Sequence, residues 1–199
     1  MMIQRIIAAA LVAAATPLAA GAETCPTNAD LETGIRLTRF DPFFSIVQTQ
    51  TPEGLAEARV TQRGSVPEMT TSLYDHPLTV TQRIGANGTL ELHYEDDTRA
   101  LNSLNSLREW STDVSLVSGG ETVNRGEYAA RIIGIGEAQI GDCNYDVWRV
   151  QESLTLDGAA PLQFEKSYAP DLGLVLSSIR LAPDGNPLHG VFFDEIAAE

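Results

Sequence analysis

Most of the chain consists of short runs in which apolar and polar residues alternate, separated by Gly, Pro, Asn and Asp. Period-two alternation sends one side of a strand to a core and the other to water, so the pattern predicts antiparallel β-structure. Runs of this kind fall at 35–40, 44–50, 55–62, 122–133, 145–156, 162–168, 173–181 and 188–196. Trp110, Thr112, Val114 and Leu116, alternating with Ser111, Asp113 and Ser115, predict a further strand. Between the runs lie Thr51-Pro52-Glu53-Gly54, Ser118-Gly119-Gly120-Glu121, Asp157-Gly158 and Pro183-Asp184-Gly185-Asn186-Pro187, all with the residues that turns favour. Gly134 and Gly136 mark a bend or bulge.

Residues 78–95 read as a hairpin around Ala86-Asn87-Gly88. A three-residue loop, a type I turn followed by a left-handed Gly, sets Ile84 opposite Leu90, Gln82 opposite Leu92 and Val80 opposite Tyr94. Slipping by one residue exchanges the faces, so this register is predicted to bury Ile84, Leu90, Leu92 and Tyr94 and leave Arg83, Glu91 and His93 in water. Leu101, Leu104 and Leu107 recur at helical spacing behind Asp97 and Thr98, which are capping residues. The Asn and Ser residues between them limit this helix to a turn or two. The expected fold is mainly β: a single antiparallel curved sheet or partly closed barrel of about ten strands, with one short helix near residues 98–107.

The N-terminus changes the setting. Arg5, an apolar stretch over 6–20 and Ala20-Gly21-Ala22 have the form of a secretory signal peptide over residues 1–22, cut before Glu23. The stretch is Ala-rich and carries Pro17, so it is read as cleaved, not as a membrane anchor. Cys25 does not directly follow the cut, which argues against lipidation. The remainder, 23–199, suits a single β-rich domain that is periplasmic or secreted. In an oxidising compartment its two cysteines, Cys25 and Cys143, are expected to pair. A redox role fits less well, because no Cys-x-x-Cys is present and Asp142 and Asp146 flank Cys143.

The chain is acidic, with 27 Asp and Glu against 13 Lys and Arg and a net charge of −14. Such a surface repels nucleic acid and anionic membranes. Lys166 is the only lysine.

Two stretches near the C-terminal end, Gly141-Asp142-Cys143-Asn144-Tyr145-Asp146-Val147-Trp148 and Tyr168-Ala169-Pro170-Asp171-Leu172-Gly173-Leu174-Val175, resemble uncharacterised exported β-sheet proteins in which a Y-A-P-x-L-G-L-V corner precedes a strand. The resemblance covers the last third of the chain and implies fold more than function.

Motifs for chemistry are sparse. The histidines are His76, His93 and His189, and no G-x-S-x-G elbow accompanies them. Glu91, His93 and Glu95 share a strand face and are the one candidate set for a divalent ion, though pairing of Glu91 with Arg83 and solvation account for them as well. Glu95-Asp96-Asp97 lacks the spacing of a calcium loop, and Gly134-x-Gly136 lacks the rest of a dinucleotide fingerprint. Trp110 and Trp148 fall on alternating apolar faces and are expected in the core. No catalytic residue, metal ligand or cofactor is assigned. The sequence favours an exported non-catalytic domain binding an apolar small molecule or an envelope protein partner, with a hydrolase carrying its residues on loops as the alternative.

Overall fold

The computed structural model describes residues 24–63 and 66–199; the signal peptide read over 1–22 lies outside them. Thirteen strands form one antiparallel sheet: β1 (Ile35–Arg39), β2 (Phe44–Thr51), β3 (Gly54–Arg63), β4 (Val66–His76), β5 (Thr79–Gly85), β6 (Gly88–Tyr94), β7 (Glu109–Ser118), β8 (Glu121–Ile140), β9 (Cys143–Leu156), β10 (Leu162–Ala169), β11 (Leu174–Leu181), β12 (Pro187–Val191) and β13 (Glu195–Ala198). From β1 to β12 each strand pairs with its neighbour in sequence, and β13 returns to the free edge of β1. No helix among the described residues is long and apolar enough to cross a membrane.

The two outermost strands, β12 and β13, are consecutive in the chain, so the sheet curls until its ends meet around residues 192–194. The ladder itself stays open there. Side chains bridge the seam instead: the Phe40 amide donates to Asp194 Oδ2 at 2.8 Å, Arg39 donates to the Gly190 carbonyl at 3.5 Å, and the Phe44 and Phe193 rings lie 5.9 Å apart. The expected closing strand at 188–196 is thus one segment in two parts, the first paired with β11 and the second with β1.

β8 and β9 outrun their neighbours. β7 accompanies β8 only as far as Arg131, and β10 joins β9 only from Trp148. The stretch between forms a two-stranded arm, and the register shift between Ile132 and Gly134 lies where the sequence places a bend. The arm buries Ile140, Cys143 and Val147 against Leu31, Ile35, Leu172 and Leu174. The Cys25–Cys143 disulfide fastens the first described residues to it, with Cα atoms 5.4 Å apart. The Tyr168–Val175 corner completes this end. Gly173, at φ +77°, leaves room for Asn28, whose side-chain amide donates to the Leu172 carbonyl at 3.1 Å.

The short helix forms as a 3-10 turn (Thr98–Ser103) running into α1 (Leu104–Leu107). Asp97 caps it by accepting the Arg99 amide at 3.0 Å. Leu101 and Leu104 are fully buried against Val114, Tyr128, Ala130 and Val150, so the helix plugs the concave side, while Leu107 points out. Trp110 and Trp148 are half-buried beside this cluster, edge-on to Tyr128 and Tyr168.

One strand goes beyond the sequence reading, and one expectation changes. Val66–His76 forms a full strand although its sequence has little apolar alternation; ladders to β3 and β5 hold it, and only Ser72, Tyr74 and His76 near its end are buried. The β5–β6 hairpin has a two-residue loop, Ala86-Asn87, closed by Gly85 opposite Gly88. Arg83 therefore faces Leu90 and Ile84 faces Thr89. Ile84 is 45% exposed and Leu90 51%. The concave face at this point borders open space and not a packed core, so burial did not select the register that sequence alternation favours. Gly88 does keep a positive φ, as the turn requires.

The disulfide spans 118 residues, and the chain-entropy account gives such a link up to about 5 kcal/mol. A Cys25→Ser, Cys143→Ser variant is expected to unfold at markedly lower urea, with the loss greatest in hydrogen-exchange protection of the β8–β9 arm.

Candidate functional site

The curled sheet and its plug do not fill the concave side. A cavity of about 530 Å³ remains, within the ordinary range for small-molecule sites. Its wall is largely aliphatic and aromatic, with Ile46, Val80, Leu92, Leu154, Phe164 and Phe193 contributed by five strands and the seam. Its wall reaches Leu90, Leu116, Leu156, Leu162 and His189, beside the β5–β6, β7–β8, β9–β10 and β11–β12 turns that the meander places at one end, and we take that end, away from the β8–β9 arm, as its mouth.

Two polar groups are set into this wall. On one side Gln48, Glu57 and Ser72 lie in register across β2, β3 and β4. Glu57 Oε1 accepts from Arg59 Nη2 at 2.7 Å, and Oε2 accepts from Gln48 at 3.2 Å and from the Tyr74 hydroxyl at 3.3 Å. Arg59 also lies 5.3 Å from the centroid of the Phe44 ring. Burial, with the Glu57 charge second, pushes the Tyr74 hydroxyl up to about 12. Facing it, Glu152 on β9 is buried and pairs with Lys166 Nζ on β10 at 2.7 Å. Burial raises the Glu152 carboxyl above the usual carboxylate range, and the Lys166 ammonium offsets part of that. The neighbouring Tyr128 hydroxyl donates to the Leu78 carbonyl at 3.1 Å, and that of Tyr94 to the Val80 carbonyl at 3.1 Å. Both phenols are raised, first by burial and then by the Glu152 charge. Two acceptors on the wall, Gln48 Oε1 and Glu152 Oε1, are buried without a hydrogen-bond partner.

The histidines are not brought together. His76 is buried at the β4–β5 turn, its Nδ1 accepting the Leu78 amide at 3.2 Å and its ring 5.2 Å from Tyr168. His93 stands exposed on β6, 3.4 Å from Glu91 Oε2. His189 lies on β12 opposite Arg180, at the cavity wall. No serine hydroxyl hydrogen-bonds a histidine ring among the described residues. A second cleft gathers Glu95, Asp113, Glu127 and Asp157 around Arg125. Among the described residues no group of three or more His, Cys, Asp or Glu is disposed to hold a metal ion, and Glu91 hydrogen-bonds Gln82 at 3.4 Å instead of meeting Arg83.

The polar wall residues carry weak sequence signals. Glu152 is the one acid that interrupts the Trp148, Val150, Leu154, Leu156 face, and Lys166 is the single lysine. Glu57, Gln48 and Tyr74 come from strands whose register only the structure supplies.

A scan against protein-family models matches none, and a search of curated proteins finds no match. Among solved structures, the hypothetical lipoprotein YmcC from Escherichia coli is similar over 78% of this chain and 81% of its own, with 14% identity and a TM-score of 0.49.

Two outcomes test this geometry. Lys166→Met leaves Glu152 buried beside no cation and is expected to cost about 3–5 kcal/mol in urea unfolding. Glu152→Leu combined with Lys166→Met is expected to recover most of that loss. Burial, aided by Lys166, lowers His76 to about 4, below the roughly 6.5 of an unfolded histidine. The unfolded chain therefore takes up the proton first. The contribution of His76 is complete above about 6.5 and lost as pH falls towards 4, a change of up to about 3 kcal/mol. A His76→Asn variant, which keeps an acceptor for the Leu78 amide, is expected to flatten the stability–pH curve across that window.

Proposed function

We propose that this protein is an exported, non-catalytic β-domain that takes an apolar ligand into the cavity of its curved sheet. One observation carries the reading: the concave face keeps about 530 Å³ lined mainly by apolar side chains. A core whose purpose is stability alone packs to the density of an organic crystal, and a cavity of this kind is the usual form of a small-molecule site. The Cys25–Cys143 bond suits an oxidising compartment, which supports the export read from the N-terminus. An envelope protein is the other partner the sequence suggests, and a cavity recessed behind hairpin turns fits a small molecule or a single inserted chain better than a flat protein face.

The test begins with the protein purified from its own host under non-denaturing conditions, followed by native mass spectrometry. A bound apolar molecule released on unfolding is the expected result. In parallel, the neutral fluorophore N-phenyl-1-naphthylamine is expected to brighten on binding the emptied protein. Leu92→Trp and Leu154→Trp together, which fill the cavity without adding charge, are expected to weaken that binding by roughly 10-fold or more. A probe that does not bind, or binds the filled variant equally well, overturns the proposal.

A further inference from the structure

The cavity wall carries four basic side chains, Arg59, Arg83, Lys166 and Arg180, against two acids, Glu57 and Glu152. Each acid has its own cation, Arg59 for Glu57 at 2.7 Å and Lys166 for Glu152 at 2.7 Å. Arg83 and Arg180 enter no ion pair among the described residues. Arg39, Arg108, Arg125 and Arg131 are likewise outside the ion pairs, but they do not line the cavity, and it is the placement of Arg83 and Arg180 that sets them apart. Both of these stand on the wall of an apolar cavity.

Their positions are specific. Arg180 precedes the last residue of β11 and Arg83 lies close to the end of β5, so both stand near the turns that surround the mouth. The register sets Arg180 between Phe164 on β10 and His189 on β12. Its Cζ lies 5.0 Å from the centroid of the Phe164 ring, which holds the guanidinium against the wall by a cation–π contact. Arg83 gives Nε to Ser72 Oγ at 3.3 Å. A guanidinium has five donors and is always protonated, so each has donors left for a ligand.

Resting on the reading of the cavity as a site for an apolar ligand, we infer that the ligand is a single-chain amphiphile with an anionic head, its tail in the cavity and its head on Arg180 at the mouth. Arg83 adds to the positive field. The net charge of −14 does not oppose this. At physiological ionic strength, exposed charges are screened beyond about 8 Å, and partly buried ones are screened less. The local cations therefore govern the head group, while the acidic exterior still repels an extended anionic membrane.

The experiment uses the full mature chain at neutral pH, with bound N-phenyl-1-naphthylamine displaced by lauric acid, lauryl alcohol or laurylamine. These share one tail and differ only in the head. Lauric acid is expected to displace the probe at a concentration roughly 10-fold lower than the alcohol, with the amine weakest. Arg180→Gln is expected to erase the preference for the acid while leaving the alcohol unchanged. Arg180→Lys is expected to keep part of it, and Arg125→Gln, which removes a cation away from the cavity, all of it. Equal displacement by acid and alcohol from the unaltered chain overturns the inference and leaves the apolar site standing. An acid preference that survives in Arg180→Gln also overturns it. Binding of the probe with no displacement by any of the three overturns both readings. The head-group comparison on the unaltered chain decides the matter even where a variant folds poorly.

Discussion

A meander of thirteen strands cannot stay flat, and the rest of this structure follows from how it curls. Strand twist accumulates across a sheet, and open sheets beyond about ten strands bend round on themselves. About eight strands make a barrel that its own side chains can fill, and each further strand widens the interior. Here the ends of the sheet meet through one C-terminal segment, and the width left inside exceeds what inward side chains can occupy. Leu101 and Leu104 on the plug fill one part, the β8–β9 arm with the disulfide shuts one end, and the remaining space is the cavity.

Charges inside such a space are costly unless matched. Glu57 and Glu152 sit on opposite sides of the wall, each with one cation at 2.7 Å and a tyrosine close by. Replacing pairs of this kind with apolar residues is often harmless to stability. Folding alone therefore does not call for them, and each pair takes inward positions that Leu or Val could fill. Gln48 Oε1 and Glu152 Oε1 stand on this wall without a protein donor, which a packed core rarely allows.

Features with local causes were legible in the sequence. Gly119 and Gly120, both at positive φ, make the turn between β7 and β8 that their composition announces. The Leu101 and Leu104 spacing placed the plug, and the cysteine count placed the disulfide. Features that depend on the curl were not. The first half of β4, Val66–Met69, is exposed and held by its ladder to β3, while only Ser72, Tyr74 and His76 turn inward, and the β5–β6 register is off the alternation because Leu90 borders a space instead of a core. The wall residues come from strands far apart in sequence. The period-two pattern shows only that an inward position exists, and the final closure decides which inward positions touch one another and which line an opening.

The placement of Lys166 has a practical side. It is the only lysine in the chain, and it lies on the cavity wall. Apart from the amino terminus, every primary amine of the protein is therefore inside the place where a ligand would lie. Reagents that acylate lysines find none on the exterior, in contrast to most proteins, and a modified Lys166 is a direct record of whether the interior was open.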